Sequence, residues 1–174
     1  MIYLDALTRE DMPKIVEWRN QNIEGARTPY LLNIDMQIDF YEQEICNRDS
    51  KHRYWAVRRP IGEWEEETGP VLLGLSGITN IEWENSRGEI ALLIDPSQRG
   101  KGYGKQALNL TLDQAFNSLN LMNIYGEVYE CNDSMGFWEK YVAAYGEYTG
   151  FTKGAKWWNG KYFDGWCFNI RRTA

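Results

Sequence analysis

Gln98-Arg99-Gly100-Lys101-Gly102-Tyr103-Gly104 follows an apolar run, Glu89 to Ile94, by way of Asp95-Pro96-Ser97, and leads into a helical pattern from Lys105 to Phe116. Glycines alternate with larger residues where a strand hands over to a helix. That arrangement turns backbone N–H groups toward one point at a helix N-terminus, where the helix dipole also favours an anion. Arg99, Lys101 and Lys105 add positive charge. The stretch therefore predicts a phosphate-binding loop. A Walker A loop needs four residues between its glycine and the Gly-Lys pair, then Ser or Thr. Here Gly100 and Gly104 have three residues between them, and Gln106 follows Lys105. A dinucleotide fingerprint reads Gly-x-Gly-x-x-Gly and comes early in a βαβ unit. This stretch reads Gly-x-Gly-x-Gly and lies past mid-chain, so both spacings fail. The pattern that fits is Gln/Arg-x-x-Gly-x-Gly/Ala.

Outward from the loop, periodicity predicts the other elements. Ile2 to Leu7 reads as a first strand. Thr8 can cap a helix, with Asp11 three residues on and Ile15, Val16, Trp18 and Arg19 at helical spacing. Asn22 to Asn33 is irregular, broken by Gly25 and Pro29. Asp35 can cap a second helix bearing Ile38, Tyr41, Glu42 and Ile45. Tyr54 to Arg58 is a short strand. Pro60 to Pro70, with Glu63, Glu65, Glu66 and Glu67, reads as a solvated hairpin loop. Val71 to Ile81 and Arg87 to Ile94 are neighbouring strands, joined through Glu82-Trp83-Glu84-Asn85-Ser86. A helix from Gly104 to Ser118 precedes the strand Ile124 to Tyr129, which the strand–helix–strand rule makes parallel to its predecessor. Asp133 to Lys140 starts another helix. Asn159-Gly160 suits a type I′ turn, with arms Gly154 to Trp158 and Lys161 to Ile170.

Composition sets bounds. The 174 residues are 43% apolar and 25% charged, which suits one soluble domain spanning residues 1–174. No apolar run approaches a membrane span, and the N-terminus lacks the basic and apolar regions of a signal peptide. A formal net charge of −6 argues against nucleic acid as a partner and is compatible with an amine substrate. Cys46, Cys131 and Cys167 form no C-x-x-C pair, and His52 is the only histidine, so neither a zinc site nor a disulfide framework is expected. A reducing, cytoplasmic compartment fits. The eight tryptophans can complete a core or line a cleft, and composition does not separate these uses.

The loop pattern resembles the acetyl-CoA pyrophosphate loop of the GNAT superfamily of N-acetyltransferases. The order of elements matches the GNAT fold independently: strand, two helices, three strands, helix, strand, helix, two strands. Trp18-Arg19-Asn20, Asn80-Ile81-Glu82-Trp83-Glu84-Asn85-Ser86 before Gly88-Glu89-Ile90, and Asn159-Gly160-Lys161-Tyr162-Phe163-Asp164 look like the ribosomal-protein N-acetyltransferase (Rim-type) branch. They also look like that branch's relatives that acetylate amino sugars on nucleotides. The resemblance implies an α+β fold: a mixed, mostly antiparallel sheet of six to seven strands with a splayed parallel pair, flanked by about four helices.

It also implies a division of labour. Backbone groups of Leu92, Leu93 and Ile94 would meet pantetheine and the thioester. Gln98 and the amides of Arg99, Gly100, Lys101, Gly102, Tyr103 and Gly104 would take the pyrophosphate, with Lys105 and Asn132 also on the cofactor. The base would be a carboxylate, Glu89 first because it sits inside an apolar strand, with Glu84 and Glu82 behind it. Many relatives carry Asn and, seven residues later, a Tyr that protonates the thiolate. Here Trp138 stands at the Tyr position and Cys131 at the Asn position. Indole supplies no useful proton; the resemblance puts Ser134 where some Rim-type enzymes carry a serine proposed as the acid, with helix capping as its other role and Tyr141 and Tyr145 in reserve. Trp18, Arg19, Tyr30 and Trp158 would line the acceptor pocket. The implied activity is acetyl transfer from acetyl-CoA, without metal, to the primary amine of a small molecule such as an amino sugar. A protein N-terminus as acceptor, or a CoA-binding sensor or scaffold without turnover, are the alternatives. A homodimer is compatible with all three.

Overall fold

The structure is a computed structural model and describes residues 1–62 and 69–172. Glu63, Glu65, Glu66 and Glu67 of the acidic segment lie outside the described residues. In chain order come β1 (Tyr3–Asp5), a 3-10 turn (Arg9–Asp11), α1 (Met12–Asn20), and α2 (Ile34–Phe40), which runs into a π turn (Tyr41–Ile45). Then follow β2 (Arg53–Arg59), β3 (Val71–Glu82), β4 (Arg87–Ile94), α3 (Tyr103–Asp113), β5 (Asn123–Tyr129), α4 (Met135–Tyr145), β6 (Glu147–Trp158) and β7 (Lys161–Arg171).

The strands form one seven-stranded sheet in the order β1-β2-β3-β4-β5-β7-β6. Every described pairing is antiparallel except β4 with β5. That parallel pairing covers only Arg87↔Asn123, Gly88↔Ile124 and Glu89↔Tyr125. Beyond it the strands part. β4 stays paired to β3 as far as Ile94, while β5 stays paired to β7 as far as Tyr129. The sheet thus divides into two leaves with a gap between them.

Helices cover both faces. Leu108 and Leu112 of α3 and Trp138, Tyr141 and Val142 of α4 pack on Ile78, Ile90, Ile124, Val128 and Phe168. On the α1 side, Met12, Ile15 and Trp18 bury against Leu7, Ala56 and Leu72, with Leu93 alongside. Thr8 caps the 3-10 turn that leads into α1, its N–H donating to Asp11 Oδ2 at 2.9 Å, while Asp11 itself stands at the N-cap of α1.

Several boundaries differ from the expectation: β1 is shorter, at Tyr3–Asp5, and α3 gives way to a π turn at Gln114–Ser118. Asn33, not Asp35, caps α2, its Oδ1 accepting from Met36 N–H at 2.9 Å, and Asp35 falls inside the first turn. α4 begins at Met135 and extends to Tyr145, so Tyr141 and Tyr145 are helical. β6 starts at Glu147 rather than Gly154. Its pairing with β7 shifts register between Tyr148 and Gly150 and between Thr152 and Lys156. Gly150 (φ 137°) and Gly154 (φ 60°) supply the backbone for these irregularities, which erase the period-two pattern while the pairing continues. The Asn159-Gly160 turn is as predicted, with φ of 48° and 78° and Trp158 paired to Lys161.

Candidate active site

The gap between the leaves is the floor of a cleft of about 870 Å³. β4 contributes Glu89 to Ile94, and β5 contributes Gly126 to Tyr129. Past Glu89, the β5-facing backbone groups of β4 have no strand partner among the described residues. They are available to a ligand lying along the strand. Leu92, Leu93 and Ile94 all line the cleft, with the Ile94 side chain in the core below.

At one end stands the glycine loop. Asp95 caps the 3-10 turn Pro96–Gln98 by accepting from Ser97 N–H at 2.8 Å. Gly100 (φ 76°) and Gly102 (φ 82°) take left-handed backbone that other residues adopt only under strain. A Cβ at Gly100 would meet nothing within 4 Å, so conformation, not crowding, calls for glycine there. The first i→i−4 bond of α3 runs from Gln106 N to Gly102 O at 3.2 Å. The amides of Gly102, Tyr103, Gly104 and Lys105 therefore precede the helical ladder. Gln98, Arg99, Gly100, Gly102, Tyr103, Gly104 and Lys105 line the cleft. Lys101 stays off it, with Nζ on Gln98 Oε1 at 2.9 Å.

The link between α1 and α2 crosses the cleft as a strap. Arg99 donates to Asn22 Oδ1, the Cys131 thiol donates to Glu24 O at 3.3 Å, and Lys156 Nζ donates to Ala26 O. Gly25 lies so near Asn132 that a Cβ would fall 2.6 Å from its Nδ2. Lys156 is buried, its ammonium 5.5 Å from the Tyr129 ring centre and 5.6 Å from that of Trp158. The strap is thus held to both leaves.

Glu89 sits where the leaves part. It is 7% exposed, yet both its oxygens are partnered: Arg27 of the strap donates to Oε1, and Asn80 Nδ2 donates to Oε2 at 2.8 Å. Desolvation opposes the Arg27 charge, but Glu89 and Tyr129 outweigh it and raise that guanidinium's pKa. Asn80 is fixed in turn, because its backbone N–H donates to His52 Nδ1 at 3.1 Å. Past Glu89 the cleft is also lined by Tyr54, Arg19, Gln37 and Phe40. Burial pushes the Tyr54 phenol up to about 12.

On the α4 side the cleft meets Asn132, Ser134, Trp138, Tyr141 and Tyr145. Ser134 occupies the N-cap position but makes no cap bond; its hydroxyl donates to Asn132 Oδ1 at 2.7 Å. Trp138 is buried and stacks on Phe168, ring centres 5.1 Å apart. The Tyr141 hydroxyl donates to Asn109 Oδ1 at 2.7 Å, and burial pushes it up to about 12.

Of the residues expected at the acceptor pocket, Arg19 alone lines the cleft. Trp18 is a core residue packed beside Ile15. Tyr30 is exposed, and Trp158 borders Lys156. Glu84 is exposed in the turn between β3 and β4, and Glu82 is tied to Arg87 at 2.8 Å. Periodicity had not singled out Arg27, Asn80 or Lys156. Lys156 did carry a signal: a lysine amid Trp157, Trp158 and Tyr162 in a strand arm.

A family model described as an acetyltransferase (GNAT) domain matches residues 2–136. The chain belongs to this family. An N-acetyltransferase 9-like protein of Caenorhabditis briggsae is 31% identical over 111 residues, which are 62% of this GNAT chain and 56% of the relative. A spermidine N(1)-acetyltransferase of Vibrio cholerae is 33% identical over 60 residues, 34% of this chain and 35% of that protein. The chain thus matches about half or less of either curated relative. A crystal structure of spermidine N-acetyltransferase from Vibrio cholerae in complex with CoA and spermine superposes with a TM-score of 0.82. It covers 98% of this chain and 95% of that one at 24% identity, a likeness of fold. Among the described residues, no helix is long and apolar enough to cross a membrane.

Proposed function

We propose that this protein transfers the acetyl group of acetyl-CoA to the primary amine of a small molecule, of the size of an amino sugar, in the cytoplasm. The observation that carries this reading is the parting of β4 from β5 between the glycine loop at one end and Glu89 at the other. The unbonded amides of Gly102 to Lys105, with Arg99 and Lys105, match a pyrophosphate in charge and donor count. The open backbone edge of Leu92 to Ile94 matches the amide-bearing pantetheine arm. When bound, acetyl-CoA supplies a thioester that an amine can attack.

The chain's own residues have three further tasks. Glu89, held by Asn80 and Arg27, takes a proton from the incoming ammonium, directly or through a water. Backbone N–H groups at the β4 opening steady negative charge on the carbonyl oxygen. Ser134 relays to the departing thiolate the proton that the attacking nitrogen sheds on forming the amide, so that no serine alkoxide is left; Trp138, stacked in the core, has no proton to give. The three cysteines are free, in keeping with a reducing compartment.

The spermidine acetyltransferase relatives favour a small amine over a protein N-terminus, and the strap across the cleft limits access by an extended peptide. The test is free-thiol release from acetyl-CoA with amino sugars, aminoglycosides, polyamines and N-terminal peptides as acceptors. Stimulation by at least one small amine is expected. Cofactor binding with no acceptor-stimulated release would make the chain a CoA-binding module, and peptides as the best acceptors would move it to the protein-acetylating branch.

A further inference from the structure

Arg19 is an arginine set into an apolar wall with most of its donors unused. It leaves the end of α1 and lines the acceptor end of the cleft among Ile15, Phe40, Ile45 and Leu75. Its one side-chain acceptor is Gln37 Oε1 at 3.2 Å, and no carboxylate reaches ion-pair distance of it among the described residues. Gln37 is 2% exposed, and its amide nitrogen faces Met12 Sδ at 3.7 Å, which aims Oε1 at Arg19. A guanidinium has five N–H donors in a planar fork, so most remain for a ligand. Desolvation lowers this guanidinium's pKa, and the Tyr54 phenol offsets that only in part.

The charges around it sharpen the argument. Glu89 is matched by Arg27, so at this end of the cleft Arg19 is the cation left over. Arg19, Tyr54 and Glu89 all line this one cleft, and Glu44 and Arg27 also bear on the Tyr54 phenol. A polycation would meet the Arg19 guanidinium on the cleft wall there.

We infer that the acceptor bears a carboxylate or phosphate as well as its amine, and that Arg19 receives that anion in a forked pair while the ammonium lies toward Glu89. This rests on the acetyl-transfer reading above and names its substrate class. Two fixed points, one at each charge, set the amine's direction of attack. The site would discriminate against spermidine-like acceptors despite the shared fold.

The test uses the full chain saturated with CoA, so that the pyrophosphate site is already filled. Thermal shift and calorimetry then follow inorganic phosphate, acetate and spermidine, for native protein, Arg19→Gln and Arg19→Lys. Phosphate or acetate should bind the native complex, and the stronger of the two identifies the anion. Arg19→Gln should weaken that binding about 10- to 100-fold and leave CoA affinity unchanged, while Arg19→Lys should retain part of it. In turnover, glucosamine 6-phosphate or an amino acid should exceed glucosamine and spermidine in kcat/KM, and Arg19→Gln should erase the preference. A native CoA complex indifferent to both anions overturns the inference alone. So does an anion effect that survives in Arg19→Gln, or spermidine as the preferred acceptor. Failure of the native chain to bind CoA overturns the reading beneath it as well.

Discussion

Replacing Glu89 by glutamine changes one oxygen to an amide and little else in volume. The remaining Oε can still accept from Asn80 Nδ2, so the side chain keeps one of its two anchors. The other becomes an NH₂ facing the Arg27 guanidinium, donor against donor, and that ion pair is lost. Removing one partner from a fully buried pair costs about 3–5 kcal/mol, because a bare charge is left behind. Here the Arg27 side chain is 59% exposed and can turn to water. The cost should therefore be about 1–2 kcal/mol, too little to unfold the chain. The chemical loss is larger. Without a carboxylate to take the ammonium's proton, kcat should fall about 10²–10⁴-fold. Acetyl-CoA affinity should stay, since the loop backbone and not Glu89 would hold the cofactor. The deficit should shrink as pH rises from about 7 toward about 10, where free amine becomes plentiful without a base. Thiol release across that range, with calorimetry for acetyl-CoA at each end, measures both quantities. Full activity in Glu89→Gln at every pH would remove Glu89 from the mechanism.

Three further outcomes are expected. Ser134→Ala should lose the bond to Asn132 Oδ1 and about 1 kcal/mol of stability in a denaturant titration, with kcat falling about tenfold or more and acetyl-CoA affinity unchanged; unaltered turnover would reduce Ser134 to a structural residue. Trp138→Tyr should lower stability by about 1–3 kcal/mol through loss of stacking on Phe168, without raising kcat; a gain in kcat would show that the chain lacks a proton donor which a phenol there restores. In alkali, Tyr54 and Tyr141, both pushed up to about 12 by burial, keep protons that the unfolded chain gives up near 10.0. The folded state then binds more protons, so stability present below about pH 10 should fall as pH rises through about 12, and Tyr54→Phe should flatten that fall in a melting series.

Much of this was legible in the chain. The glycine loop announces itself because left-handed backbone at Gly100 and Gly102 leaves glycine as the natural residue. Asn159-Gly160 does the same for its turn. The parting of β4 from β5 came only from the resemblance; no residue of either strand encodes it locally. Glu89 stood out because a carboxylate in an apolar strand needs a reason. Its partners did not, because Arg27 lies 62 positions away in an irregular loop and Asn80 sits at a register shift. β6 was half-missed because its two positive-φ glycines interrupt alternation without interrupting pairing. Trp18 and Arg19 are neighbours in sequence, yet α1 turns one into the core and the other to the cleft. Composition cannot decide between such uses; only the helix's angle to the sheet does.

The central claim is that the glycine loop and the β4–β5 gap form an acetyl-CoA site. Calorimetric titration of acetyl-CoA into the native chain, Gly102→Asp and Arg99→Glu tests it most directly. Gly102→Asp forces a side chain into left-handed backbone and sets a carboxylate at the N-terminus of α3, while Arg99→Glu reverses a charge on the cleft wall. Native protein should bind with one cofactor per chain, and each variant should bind at least about tenfold more weakly while melting as a folded protein. Native protein that fails to bind acetyl-CoA at millimolar concentration, or binding left intact in both variants, would contradict the account.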